Sequence, residues 1–222
     1  MLFSNVFLES QIYELSIIPN DTSTYDYADF KIWIDESIDT LEGVYWSIHG
    51  FNLDSREIVN NLDYRLITSN KKFALMGARL SSMHMNSGIG DAVLIFMDSI
   101  SVLSNRPEFS NIPFFINGYS WGGQFGYHFT RWVPDKVLGL ISQKGGYHDT
   151  SYSNIAINVP MLFFVGENDL QYRIDNLSYV FFNHRRFGAK WSLLVEKNVA
   201  HDPINDNQFL NTYFNFYNLT LL

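Results

Sequence analysis

The sequence predicts an α/β fold in which a mostly parallel, twisted β-sheet has helices on both faces and antiparallel strands at its N-terminal edge. From position 43 onward, short apolar runs that end in polar turns alternate with segments of helical spacing. This alternation is typical of a parallel sheet with crossover helices. Two strand-like segments with no helix between them come first, and the 222 residues show no internal repeat or composition break. One domain is therefore predicted for residues 1–222.

The first half of the chain is predicted to form four strands and two helices. The first helix is predicted from the spacing of Ile58, Leu62 and Leu66, with Ser55 as its N-cap. In order, the predicted elements are strands at Ile12–Ile18, Phe30–Asp35 and Gly43–Gly50, a helix at Ser55–Ser69, a strand at Lys72–Ala78 and a helix at Asp91–Leu103. The loop RLSSMHMNSGIG at 79–90 either shapes the entrance to a site or is only a connection.

The second half of the chain continues the alternation. The predicted elements are strands at Ile112–Gly118, Lys136–Gln143, Val159–Gly166 and Lys190–Lys197, and helices at Trp121–Trp132, Asp175–Phe187 and Pro203–Tyr217. In open α/β sheets, functional sites gather at the carboxyl ends of the strands. Residues just beyond each strand are therefore the first candidates for chemistry.

Composition and charge exclude several classes of partner. Hydrophobic residues make up 46% and charged residues 17%, which is typical of a packed globular protein. The net charge of −8 argues against nucleic acid and anionic membrane surfaces as partners. Seven carboxylates between positions 21 and 42 surround Lys31, and this segment is predicted to be a solvated hairpin. No apolar run reaches the ~18 residues of a membrane span.

Cysteine usage and the N-terminus bear on the compartment. The chain has no cysteine, so neither a disulfide framework nor thiolate chemistry is expected. The N-terminal segment MLFSNVFLESQIYELSI lacks a basic start, so it is interpreted as part of the fold and not as a signal peptide. A cytoplasmic protein is expected, unless a leader has been removed. The oligomeric state is open, a homo-oligomer included.

The segment FFINGYSWGGQFGYHF contains the motif G-x-S-x-G at Gly118–Gly122. An apolar strand precedes the motif and a predicted helix follows it. This context is that of a nucleophile elbow, a sharp turn that raises a serine hydroxyl above the sheet. Ser120 is thus the candidate nucleophile. The simpler alternative is an ordinary strand-to-helix turn in which the serine caps the helix.

A serine nucleophile needs a base and an acid that orients the base. In this type of fold they follow the serine in the order Asp, then His, each beyond a later strand. Asp169 and His201 meet this condition and are the candidate orienting acid and general base. Glu167 is a rival to Asp169, whereas Asp175 is expected to cap or start a helix.

Three other histidines lie after the strand that follows Ser120 or within predicted helices. His148 follows the strand after Ser120 and is a candidate for substrate contact. His184 is expected on a solvated helix face beside two arginines. His128 lies in the helix behind Ser120, where a packed or surface position is expected.

An oxyanion hole needs a second backbone donor from the turn after an early strand. The sequence HGFN at 49–52 follows the Gly43 strand, so the N–H groups of Phe51 and Trp121 are the candidate donors. A glycine turn without a catalytic task is the alternative. His49, Asn52, Tyr119, Tyr147 and His148, together with the Trp121 ring, are candidates for the wall of a substrate pocket.

From about Gly43 to its C-terminus the chain resembles the α/β-hydrolase superfamily. The resemblance is carried by HG at His49–Gly50, by GYSWGGQFGYHFTRWVPDKVLGLISQKGG at Gly118–Gly146, and by VGEND and AHDP around Asp169 and His201. Within the superfamily the chain is most similar to small feruloyl and acetyl-xylan esterases and to polyhydroxybutyrate depolymerase-like proteins. The resemblance implies a serine esterase with Ser120, Asp169 and His201 as its triad.

The predicted function is hydrolysis of small-molecule or oligomeric carboxylic esters through an acyl-enzyme. The chain has no HExxH, paired-cysteine or phosphate-loop motif, so no metal and no organic cofactor is expected. Three alternatives use the same fold. They are a peptidase, an acyltransferase, and a ligand-binding protein with little turnover. The acyl and alcohol parts of the substrate are not specified by the sequence.

Overall fold

The computed structural model describes residues 10–204, and eight strands in this part of the chain form one sheet. The strands are β1 Ser10–Ser16, β2 Ala28–Asp35, β3 Gly43–Ile48, β4 Phe73–Leu80, β5 Phe114–Tyr119, β6 Val137–Gln143, β7 Met161–Gly166 and β8 Trp191–Glu196. Their order across the sheet is β1-β2-β4-β3-β5-β6-β7-β8. β2 pairs antiparallel with β1 and β4, and the other pairs are parallel. The predicted fold class is confirmed.

Four α-helices cover the two faces of the sheet. They are α1 Leu62–Ser69, α2 Ile89–Leu103, α3 Trp121–Trp132 and α4 Gln171–Arg185. Successive strand residues point to opposite faces: Val44 and Trp46 pack in the cluster that contains α2, α3 and α4, whereas Tyr45 packs in the cluster that contacts α1. The near-continuous apolar runs of the sequence follow from this burial on both faces.

Aromatic side chains fill much of the core behind the elbow. The fully buried Trp46 ring contacts Phe114, Phe125 and Phe129 with centroid distances of 5.5, 6.0 and 5.5 Å. These contacts join β3 and β5 to α3. The high aromatic content of the sequence thus fixes the helix that follows Ser120 against the sheet.

The predicted helix at Ser55–Ser69 is two elements. A 3₁₀ turn at Arg56–Asn60 precedes α1, and the Asn61 side chain caps α1 by accepting from the N–H groups of Asp63 and Tyr64 at 3.0 and 3.3 Å. The Ser55 hydroxyl makes no cap hydrogen bond and instead donates to the carbonyl of Ser47 at 2.8 Å. Asparagine is at least as good an N-cap as serine, and here Asn61 caps α1 in place of the predicted Ser55.

Other helix boundaries also differ from the prediction. α4 begins at Gln171, so Asp175 lies inside the helix and accepts from the Gln171 side chain at 2.8 Å. α2 begins at Ile89, two residues before the predicted start. The predicted closing helix at Pro203–Tyr217 lies outside the described residues from position 205 onward. The N-terminal segment before position 10 also lies outside the described residues.

The acidic segment at 21–42 is only partly solvated. β1 and β2 form the expected antiparallel pair, but Asp35 is 8% exposed and accepts from the hydroxyls of Ser37 and Ser69 at 2.6 Å each. Burial alone would raise the pKa of Asp35, but these hydrogen bonds outweigh it and the pKa lies below its ordinary value. The prediction of a solvated position is wrong for this residue. Among the described residues, no helix is long and apolar enough to cross a bilayer.

The stacking of α2 on the sheet gives a test of the core. Phe96 is fully buried and its ring stacks on Phe30 at 4.7 Å between centroids. Phe96→Ala is expected to lower the free energy of unfolding by about 3–5 kcal/mol, because it leaves a cavity. Urea denaturation measures this change. The neighbouring Ile95 is 47% exposed, and Ile95→Ala is expected to cost less than about 1 kcal/mol. An equal loss of unfolding free energy in the two variants would contradict the packing of Phe96 against the sheet.

Candidate active site

The turn between β5 and α3 holds Ser120 in a strained conformation. Its backbone has φ 53° and ψ −116°, a region that residues with a side chain rarely adopt. The N–H of Ser120 donates to the carbonyl of Gln143 at 2.8 Å, which ties the turn to the end of β6. The Ser120 side chain is nearly buried. The strand–turn–helix context required by the sequence motif is present.

Two glycines of the motif allow backbone segments to meet. A Cβ on Gly122 would lie 2.5 Å from the carbonyl oxygens of Ile48 and His49, and a Cβ on Gly118 would lie 2.3 Å from the carbonyl oxygen of Gly122. No side chain fits at either position without moving backbone. The first turn of α3 therefore lies directly against the end of β3.

His201 lies between Ser120 and Asp169. Its Nε2 is 2.9 Å from the Ser120 Oγ, and its Nδ1 is 2.7 Å from the Asp169 Oδ2. With an ionised Asp169, Nδ1 carries the proton and donates to the carboxylate, and Nε2 is free to accept from the serine hydroxyl. Three side chains that are distant in sequence form one chain of hydrogen bonds.

Asp169 is held ionised and in a fixed orientation. Its side chain is 2% exposed, and its Oδ1 accepts from the Leu170 N–H at 2.7 Å and from the Arg173 guanidinium at 3.0 Å. Burial alone would raise the pKa of Asp169, but the hydrogen bonds from His201, Leu170 and Arg173 outweigh it and lower the pKa below its ordinary value. Arg173 is not among the residues predicted from the sequence, although its position four residues after Asp169 favours such an ion pair on a helix.

Backbone contacts hold the turn that carries His201. The Tyr119 hydroxyl donates to the His201 carbonyl, and the Ile204 N–H donates to the Gln143 side chain at 2.8 Å. On the other side, the Asn198 N–H donates to the Glu167 carboxylate at 2.8 Å. The structure thus places Glu167 on the backbone of the β8 turn, whereas Asp169 reaches the imidazole.

A buried polar chain lies beneath the site. The Gln143 side chain donates to Asn117 at 2.6 Å, and Asn117 donates to the hydroxyl of Tyr45 at 2.8 Å. Nearby, the fully buried Lys144 pairs with Glu196 at the end of β8. Such pairings cannot be predicted from hydrophobic periodicity, because the periodicity does not show which polar residues of different strands contact each other.

Phe51 and Trp121 stand on adjacent turns. Their rings contact each other with centroids 4.6 Å apart. In the described part of the chain, neither backbone N–H has a hydrogen-bond acceptor. Asn52 follows with φ 56° and an exposed side chain. Both candidate oxyanion donors therefore have an N–H without an acceptor among the described residues.

His49 and His148, two of the candidates for substrate contact, are buried. The Nε2 of His49 accepts from the Leu80 N–H at 3.0 Å and its Nδ1 contacts the Gly50 carbonyl, so both ring nitrogens are occupied by backbone. His148 is fully buried, with Nε2 3.1 Å from the Ser142 hydroxyl, and burial lowers its pKa to about 3. The His49 ring thus bonds backbone beside the site, whereas the His148 ring contacts a buried hydroxyl. Tyr147 is 59% exposed and Tyr119 is partly buried beside His201.

The prediction for His184 is wrong. It is fully buried, its Nδ1 lies 2.8 Å from the Val180 carbonyl, and its ring lies 4.4 Å from that of Trp191. The charged neighbours at 185 and 186 suggested a solvated face, but the face of α4 that packs on the sheet includes position 184. His128 is partly buried, as expected.

A cavity of about 340 Å³ adjoins the oxyanion turns. Its lining includes both apolar and polar side chains: Asp26, Tyr27, Phe51, Asn52, Leu80, Ser81, Ser82, Met83 and Trp121. The first part of the loop at 79–90 thus forms one side of this cavity. Within residues 10–204, no group of three or more His, Asp or Glu side chains is arranged to hold a metal ion.

Solved structures resemble the whole described architecture. A predicted CIB-like hydrolase from Thermoplasma acidophilum has a TM-score of 0.61 at 15% identity, over 95% of this chain and 100% of that chain. A ferulic acid esterase has a TM-score of 0.65 at 11% identity, over 95% and 97%. The fluorophosphonate-binding serine hydrolase FphF from Staphylococcus aureus has a TM-score of 0.64 at 14% identity, over 94% and 98%.

These likenesses establish the α/β-hydrolase fold for this chain. No protein-family model matches the sequence, and no curated protein matches it. The fold alone does not specify a reaction.

The contact between α3 and β3 gives a test of the site geometry. Gly122→Ala is expected to destabilise the protein by about 1–3 kcal/mol because the new Cβ displaces backbone. Any esterase activity is expected to fall about 10²-fold through misplacement of Ser120. A Cβ on Gly146 meets only the end of the Gln124 side chain, at 2.9 Å, so Gly146→Ala is the matched control. Thermal melts measure the stability of the two variants, and ester turnover measures their activity. A Gly122→Ala protein with the stability and turnover of Gly146→Ala would contradict the geometry.

Proposed function

We propose that this protein is a serine hydrolase that cleaves carboxylic esters through an acyl-enzyme. The observation that carries the proposal is the continuous chain of hydrogen bonds from Ser120 through His201 to Asp169, with distances of 2.9 and 2.7 Å. Serine hydroxyls become nucleophilic when such a base takes their proton.

In the proposed acylation step, Ser120 Oγ attacks the ester carbonyl carbon while His201 Nε2 takes its proton. Asp169 accepts from Nδ1 and stabilises the imidazolium that forms. The carbonyl oxygen becomes negative and is held by the N–H groups of Phe51 and Trp121, at the N-terminus of α3. His201 then protonates the leaving alcohol.

In the proposed deacylation step, water takes the place of the alcohol. His201 removes a proton from the water as it attacks the acyl-enzyme, and Ser120 Oγ leaves and takes the proton back. The strained backbone of Ser120 keeps the hydroxyl fixed through both steps.

The strand order supports an assignment of the two sides of the ester. The leaving alcohol must reach His201 Nε2, which comes from the turn after β8, on one side of β5. The cavity beside Phe51 and Trp121 lies on the other side, near the ends of β3 and β4. We therefore assign this cavity to the acyl group. Its mixed polar and apolar lining suits a compact acyl group with a polar substituent.

The proposal is tested by covalent labelling of the serine. A fluorophosphonate probe is expected to phosphonylate Ser120, because the probe requires a hydroxyl activated by a base. Peptide mass spectrometry locates the adduct, and Ser120→Ala is expected to remove it. Labelling of another residue, or no labelling of the folded wild-type protein, would favour a ligand-binding protein without turnover.

The identity of the acid is tested with two amide variants. Asp169→Asn is expected to reduce kcat for a short-chain aryl ester on the order of 10⁴-fold, because the wrong imidazole tautomer is favoured. Glu167→Gln is the matched control, since the hydrogen bonds of Glu167 to the described part of the chain go to backbone groups at the end of β8 and in the turn after it. It is expected to keep most of the activity. The reverse outcome would assign the acid to Glu167.

A further inference from the structure

Arg173 contacts both members of the Asp169–His201 pair. Its terminal nitrogen is 3.0 Å from the Asp169 Oδ1 and 3.2 Å from the His201 Nδ1. Because Nδ1 carries the proton that is donated to Asp169, it cannot also accept from a guanidinium. The second contact is therefore an approach of two positively polarised groups and not a hydrogen bond.

The position of Arg173 is not explained by the stability of its helix. It lies in the first turn of α4, where the helix dipole disfavours a cation. Its side chain is 18% exposed, and its buried Nε has no hydrogen-bond acceptor among the described residues. The guanidinium is thus partly desolvated and incompletely paired. Its main compensation is the carboxylate that also binds His201.

We infer that Arg173 is a positioning residue that extends the activity of the proposed serine hydrolase toward acid pH. Two cations compete for one carboxylate when His201 is protonated, because Arg173 already neutralises part of the charge of Asp169. The guanidinium therefore opposes a second positive charge on the imidazole ring. Arg173 and the Leu170 N–H also occupy Oδ1, which leaves Oδ2 aimed at the imidazole.

The other charged and titratable groups around the imidazole do not replace this effect. Tyr119 lies on the β5 side, with its hydroxyl bonded to the His201 carbonyl, and Asp202 is the next residue on the same turn. Asp202 is exposed, so its charge acts on the ring through solvent and is screened. Among the described residues, Arg173 is the cationic side chain that contacts the imidazole.

The inference rests on the proposed function and predicts a shift of the pH profile. Arg173→Gln is expected to move the acid limb of kcat/KM upward by about one pH unit, the scale of one partly screened charge contact. Arg173→Met, also neutral, is expected to give the same shift, and Arg173→Lys to keep most of the wild-type limb. Arg186→Gln removes an exposed cation after the same helix and is expected to leave the limb in place.

Two readouts separate this inference from the proposed function. Turnover of a 4-nitrophenyl ester and the rate of fluorophosphonate labelling are each measured against pH, with circular dichroism as the check on folding. An inactive, unlabelled wild-type protein would overturn the proposed function. An active wild type whose acid limb does not move in Arg173→Gln and Arg173→Met, or moves equally in Arg173→Lys, would overturn the role of Arg173 alone.

Discussion

The arrangement of the site depends on the close approach of the first turn of α3 to the end of β3. Gly122 meets the carbonyls of Ile48 and His49 at a distance that excludes any side chain. This contact brings the first turn of α3 against the turn after β3, where the rings of Trp121 and Phe51 meet, and Ser120 between β5 and α3 has a strained backbone. The aromatic packing around Trp46 supplies contacts that hold the helix in this position. Strain at the serine is thus supported by the core behind it.

The second half of the site is held by polar groups rather than by apolar packing. The residues of the turn that bears His201 are exposed or partly exposed. The turn is held by hydrogen bonds to Tyr119, Gln143 and Glu167. Each of these residues lies at the end of a different strand. The imidazole is therefore positioned by the sheet as a whole, although its own turn contributes few buried contacts.

The sequence allowed most of the fold to be predicted, because buried strands and amphipathic helices leave strong periodic signals. All eight strands and the turn around Ser120 were found in this way. Helix starts were less predictable, since Ser55 and Asn61 are both good caps and only tertiary contacts decide between them. Pairings of polar side chains outside the predicted order of serine, acid and histidine were harder to predict. His148 and His184 each look like an isolated polar residue in the sequence, and part of their surroundings comes from distant segments, such as those of Phe163 and Tyr152.

The pairing of the buried Lys144 with the partly exposed Glu196 constrains how this sequence can diverge. Loss of Glu196 leaves the ammonium of Lys144 uncompensated inside the protein, whereas apolar replacement of a buried pair is tolerated in many proteins. Replacement of Glu196 alone is therefore expected to be selected against, while joint replacement of both residues is open. Among homologues, the two positions are expected to evolve as an epistatic unit, with either both charges kept or both exchanged together.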